Sequence, residues 1–187
     1  MARVTPVYKP SDYPNPDAQT REDLADLFGQ MFPGVDNPEI DRPHSGVAIA
    51  ALNPKLALHL SKLSSFAALE LGWSKRADLR EIAIQTVNLH YGSDFSARSR
   101  HRAWEVVGLR MEQLAALPFW KTTGLFDDEQ KLVIEYALAV VTGDVPAPLF
   151  ARVVGLFGEK GAVECTTVIG IWSMWAMLLG ATQPSLD

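Results

Sequence analysis

One cysteine, Cys165, is all the thiol chemistry this 187-residue chain possesses. An intrachain disulfide is thereby excluded, and such sparing use of cysteine fits a reducing, cytoplasmic setting. The histidines at 44, 59, 90 and 101 include no pair at the i, i+4 spacing of a helical zinc site, so neither a metal nor another cofactor is expected. No Gly-x-Ser-x-Gly elbow surrounds any serine, which removes the commonest serine-hydrolase arrangement. Basic residues are in deficit: 17 Lys and Arg face 22 Asp and Glu, for a net charge of −5. With a pI near 5.4 and no cluster of Lys and Arg interleaved with aromatics, the chain has no surface for nucleic acid. Its longest apolar run, Val168 to Ala181, is about 14 residues and is interrupted by Ser173, too short for a hydrocarbon core of roughly 30 Å. The opening MARVTPVYKPSDYPNPD has no apolar stretch of the kind a secretory signal needs. No run of alternating apolar and polar residues marks a strand.

What is present is helical periodicity. A hydrophobic content of 48% over this length suits one domain spanning 1–187 with a substantial core. Residues 1–20, punctuated by Pro6, Pro10, Pro14 and Pro16, form an extended arm that adds nothing to that core. Thr20 caps a helix that runs to about Phe32, and Pro33-Gly34 ends it. A brief helix over His44 to Leu52 stops before Pro54, which starts a longer one with Leu56, Leu60, Leu63, Ala67 and Leu71 as its buried stripe. Later come Met111 to Ala116, a helix from Asp127 to Gly143, another from Pro146 to Gly158, and an apolar one from about Ala162 to Ala181. Helices joined by short loops make an all-α bundle. Because Val168 to Ala181 is apolar on nearly every side, it predicts self-association through that helix.

Polar groups concentrate in one place, LREIAIQTVNLHYGSDFSARSRHRAWEVVGL, from Leu79 to Leu109. Ile82, Ala83, Thr86, Val87 and His90 give its first half an apolar side, while Glu81, Gln85 and Asn88 line up along another edge of the same helix. Gly92 suits the left-handed C-terminus of that helix, and Ser93 the N-cap of a second one reaching Gly108. Free backbone N–H groups at the second helix start would favour an anion or polar substrate group beside Ser93, with Ser96 and Arg100 on the same stripe. His101 lies one step round, with Ala97 and Trp104. Glu81 is about 11 residues, roughly 16 Å, before Gly92, so Glu81 and Arg100 meet only if the second helix folds back along the first.

The REIAI helix followed by Gly-Ser-Asp-Phe (Gly92 to Phe95) resembles the carboxymuconolactone decarboxylase and alkylhydroperoxidase D superfamily. So do the LFDDE helix start at Leu125, the Gly-x-x-Gly-Ala-Val-Glu turn from Gly158 and the Ile-Gly-x-Trp of the last helix, which carry the likeness over residues 45–182. The redox motif of that family, Glu followed twelve residues later by Cys-x-x-Cys-x-x-x-His, falls here on Glu81, Ser93, Ser96 and Arg100. Both cysteine positions are serines, which removes the dithiol needed to reduce a peroxide. Non-redox relatives carry a Gly-Ser-Asp-Tyr-like turn, and this chain looks like those. The resemblance implies a bundle of the alkylhydroperoxidase D-like type, assembly as a trimer or hexamer, and a lyase or isomerase of decarboxylase type acting without a cofactor on a small carboxylic acid or lactone.

On that reading Glu81, with His101 or His90, moves the proton; Arg100 holds a carboxylate; Ser93, Ser96 and Gln85 complete the substrate contacts. Each residue also has an ordinary role. Glu81 can pair with Arg80, Arg100 or Arg102; His101 can pack; His90 can cap carbonyls at its helix end; Ser93 can serve as an N-cap alone; Trp172 and Trp175 can be core or subunit contacts. The competing class is therefore a non-catalytic oligomeric binding or scaffold protein of the same fold, with filled packing where an enzyme has a cavity.

Overall fold

A computed structural model describes residues 3–185, and among them it is all-helical, 72% helix in nine helices without a strand. The chain divides into two compact units. One holds the residues up to Ser65 together with those from Ala181 on; the other runs from Phe66 to Gly180.

The first unit is built on α1 (Ala18–Met31) and α2 (Ser45–Ala50) and includes most of α3 (Pro54–Leu69). Asp17, not Thr20, caps α1: its carboxylate accepts from the Thr20 backbone N–H at 2.7 Å, because an acidic side chain was available one turn earlier than the threonine. The N-terminal arm does enter the core, contrary to the expectation from its prolines. Val7 and Tyr8 are buried, the Val7 N–H donates to the Ala48 carbonyl at 2.8 Å, and the Tyr8 hydroxyl bonds Ser45 Oγ at 2.7 Å. The prolines keep the arm from forming an α-helix but leave it free to run as a strap that buries the adjacent Val7 and Tyr8.

The second unit is organised around α4 (Ala77–Tyr91), which ends at Gly92 with φ 58° and ψ 34°, the left-handed conformation glycine adopts without penalty. From Glu81 to Asn88 every residue of α4 is buried, so the polar edge of this helix faces protein and not water. α8 (Asp128–Thr142) packs along it with Leu132, Val133, Ile134, Tyr136 and Ala137. Each large side chain buried in this way contributes about 1.5 to 3 kcal/mol of transfer free energy. Asp127 caps α8 by accepting from Gln130 N–H at 2.8 Å, and Gly143 closes it at φ 76°.

The helix expected from Ser93 to Gly108 is broken in two. α5 (Asp94–Ser99) stops at Arg100, whose φ of −104° and ψ of 4° lie outside the helix, and α6 (His101–Val106) restarts at once. Ser99 gives the local reason: its hydroxyl bonds the Ser96 carbonyl at 2.9 Å, the competition by which serine weakens a helix interior. Nor does Ser93 act as a side-chain cap, for its Oγ makes no hydrogen bond to α5. Past α7 (Met111–Ala116), the span Ala147–Thr182 (α9) is interrupted at Gly158, φ 72° and ψ 169°, matching the two helices read from the sequence. By length and composition α9 would cross a bilayer, yet 61% of its most apolar window is buried inside the protein, as a core helix is. Val168, Ile169, Ile171, Trp172, Trp175 and Ala176 are all covered by their own chain, whereas Met177 on the same stretch is 51% exposed.

Candidate functional site

Glu81 is completely buried, a carboxylate with no solvent contact, and it sits between two guanidinium groups. Arg100 grips it with two bonds, Nε donating to Oε2 at 2.9 Å and Nη2 to Oε1 at 2.6 Å. Arg80 adds Nε and Nη2 to Oε1, both at 3.2 Å, and spends its Nη1 on the carbonyls of Ala68 and Ser74. Two forked arginines on one carboxylate supply the donors that a charge without water needs. The turn at Gly92 and Ser93 makes the meeting possible, because it runs α5 back along α4, where Gln85 already bonds the Ala97 carbonyl.

Arg80 is thus spent, and Arg100 is not. Among the described residues Arg100 makes no hydrogen bond through Nη1, its side chain keeps 24% of its exposure, and its guanidinium carbon lies 5.4 Å from the centre of the Trp172 ring. A cation held from behind by a carboxylate and from below by an indole has little rotamer freedom left to lose when it binds an anion.

The neighbouring polar edge of α4 is used differently. Gln85 Nε2 donates to the Ala97 carbonyl at 3.1 Å, tying α4 to α5, and its Oε1 accepts from Asn88 Nδ2 at 3.1 Å. Asn88 Oδ1 and Ser93 Oγ are buried without a protein partner, so polar capacity is left over at the Gly92 junction. Ser96 is buried as well.

The histidines separate. His101 follows Arg100 directly, is half-buried and makes no hydrogen bond among the described residues. His90 is exposed and packs edge-on against Tyr91 at 4.9 Å. Nine residues from Glu81 on a regular helix place it half a turn round and about 14 Å along, so it leaves the group it was expected to join. Trp172, expected as core or a subunit contact, lies under Arg100 instead of only filling space. Elsewhere in the same unit a second buried carboxylate was not foreseen. Glu164, on the buried stripe Gly161, Cys165 and Val168, accepts from the Trp73 backbone N–H at 2.7 Å; its signal was a charge at a core position of an apolar helix.

Among protein-family models, curated proteins and solved structures, nothing matches this chain. The site is therefore read from its own chemistry.

A groove of about 600 Å³ does exist in the second unit, but Lys75, Arg76, Asp78, Val106, Leu109 and Gln130 are among its walls, and neither Glu81, Arg100 nor a histidine is. Cys165 is buried, and burial pushes its thiol well above the usual range, which disfavours the reactive thiolate. A thiol-specific aromatic disulfide should label native protein at least about a thousandfold more slowly than urea-unfolded protein, since labelling has to await opening of the fold. Fast labelling of native protein, or steady consumption of an alkyl hydroperoxide with a dithiol that Cys165→Ser abolishes, would contradict this.

Proposed function

We propose that the chain is a cofactor-free lyase or isomerase, decarboxylase-like, acting on a small organic acid or lactone. In this reading Arg100 receives the substrate carboxylate or the enolate-like charge that develops from it. Glu81 holds Arg100 in place, and His101 moves the proton. The observation that carries the proposal is the arrangement of Arg100, clamped by the unexposed Glu81 and stacked on Trp172 with Nη1 left over. Fixed donors aimed at a developing negative charge are the largest single contribution to many such reactions. Glu81 becomes a positioning residue and no longer the acid or base, because both its oxygens already accept from arginine. His101, unpartnered and adjacent in sequence, is better placed than His90 for proton transfer.

The second reading, a non-catalytic binding or scaffold protein, is favoured by one observation: an open groove of this unit is lined by residues other than Glu81, Arg100 and the histidines. A thermal-shift screen of small carboxylic acids and lactones, followed by turnover assays on the hits, separates the two. A true ligand at about a hundred times its Kd should raise Tm by roughly 5 to 10 °C, from about 2.7 kcal/mol of linkage. Arg100→Lys, which keeps the charge and loses the fork, should remove that shift; His101→Asn should keep the shift and lose turnover. Binding without turnover supports the scaffold reading, and a panel that shifts nothing defeats both roles given to Arg100.

A further inference from the structure

α3 is amphipathic the wrong way round. Of the stripe expected to be its buried side, Leu56, Leu60, Leu63, Ala67 and Leu71, Ala67 is fully buried and Leu60 and Leu71 are half-buried, whereas Leu56 and Leu63 face out. Pro54, Ala57 and Ala67 are buried and Ser61 Oγ is shielded, whereas Leu56, Leu63, Phe66 and Leu69 are 46% to 64% exposed. Small residues face the protein and large apolar ones face out. Along the exposed side the residues run Leu56, His59, Leu63, Phe66 and Glu70, steps of three, four, three and four. Glu70 continues the helix, its N–H bonding the Phe66 carbonyl at 2.9 Å. This is the a and d spacing of a coiled-coil seam over two heptads, with His59 and Glu70 as its polar members, and it is uncovered. All five positions sit on one continuous helix, so their spacing depends on that helix alone.

We infer that this face of α3 docks against the same face of a second copy of the chain, with the two helices antiparallel about a two-fold axis. Charge decides the occupant and the direction. A parallel pair in register would stack Glu70 on Glu70, setting two carboxylates together and giving neither a partner. An antiparallel pair with Leu63 opposite Phe66 of the other copy places His59 opposite Glu70 at both ends and brings Lys62 to the same carboxylate. The two-fold repeats each of these pairings, as an isologous interface requires. His59, Lys62 and Glu70 are all exposed and free to turn towards a neighbour. The apolar centre, Leu63 and Phe66 from each copy, is small, so the association is expected to be reversible and dependent on concentration.

Sedimentation of the full chain between about 1 and about 100 μM should show a monomer passing to twice the 20.6 kDa chain mass. Leu63→Asp should weaken that step by about 100-fold or more, while its circular dichroism and melting stay near wild type because Leu63 supports no core of its own. Glu70→Lys should also weaken it, and His59→Glu added to Glu70→Lys should restore it, a rescue that only opposition of these two positions provides. A chain that stays at its monomer mass throughout, an oligomer indifferent to Leu63→Asp, or a double variant that fails to recover would each overturn the antiparallel α3 pairing.

Discussion

Arg100→Ala is expected to lower folding stability by about 3 kcal/mol, the lower end of the cost of breaking a buried ion pair. The substitution strips Glu81 Oε2 of its donor in a place water does not reach, and it removes the shortest bond to Oε1. Arg80 remains, with two bonds of 3.2 Å to Oε1, and that retained charge is why the loss should not reach the upper end of about 5 kcal/mol. The pair should also be strongly non-additive. Glu81→Met with Arg100→Met removes two of the three charges and should recover only part of the loss, because Arg80 keeps its charge and loses the Glu81 carboxylate as its partner. Urea unfolding midpoints of the two single variants and the double one measure this directly. A single-variant loss below about 1 kcal/mol would mean that Glu81 is hydrated in solution, and the clamp on Arg100 would be lost with it.

Trp104→Ala should cost about 3 to 5 kcal/mol, comparable or larger, through a different cause. Trp104 has no exposed surface, and its indole N–H donates to the Arg110 carbonyl at 2.9 Å. Its backbone N–H bonds the Arg100 carbonyl at 3.0 Å, so it is also the residue that seats α6 immediately after the break. Truncation opens a cavity the size of an indole and removes one of the three bonds that the Arg110 carbonyl accepts. Trp104→Phe, which fills most of the space and still lacks the donor, should lose roughly 1 to 3 kcal/mol. Because Trp104 seats α6 directly after Arg100, the alanine variant should reduce ligand-induced stabilisation beyond what its lower Tm explains, whereas the phenylalanine variant should largely keep it. Equal ligand response in all three proteins would separate Trp104 from the site.

Much of the helical order was legible because it depends on neighbours in sequence. Asp127 before an apolar stripe, Gly92 and Gly143 after one, and Pro54 ahead of another are local signals, and each marks an observed boundary. Local reasoning failed where two local preferences competed. Thr20 lost the cap to Asp17, three residues nearer the start, and Ser96 with Ser99 broke a helix that periodicity alone would continue through Arg100. The pairing of Glu81 with Arg100 follows from spacing once the chain is allowed to fold back, whereas Trp172, more than seventy residues on, carries no signal of lying beneath the guanidinium.

The sequence by itself determined that this protein is all-helical and without a thiol pair, and where most of its helices begin and end, because caps, periodicity and cysteine count are properties of short stretches. Only the tertiary structure decided which face each helix turns inward. Periodicity shows that a stripe exists but not what covers it: it made no distinction between α4, whose Glu81 is buried against Arg80 and Arg100, and α3, where Leu56, Leu63 and Leu69 face out while Ala57 and Ala67 face in. That choice depends on the shape and charge of distant segments, and it is what turns Glu81 from a candidate acid into the anchor of Arg100.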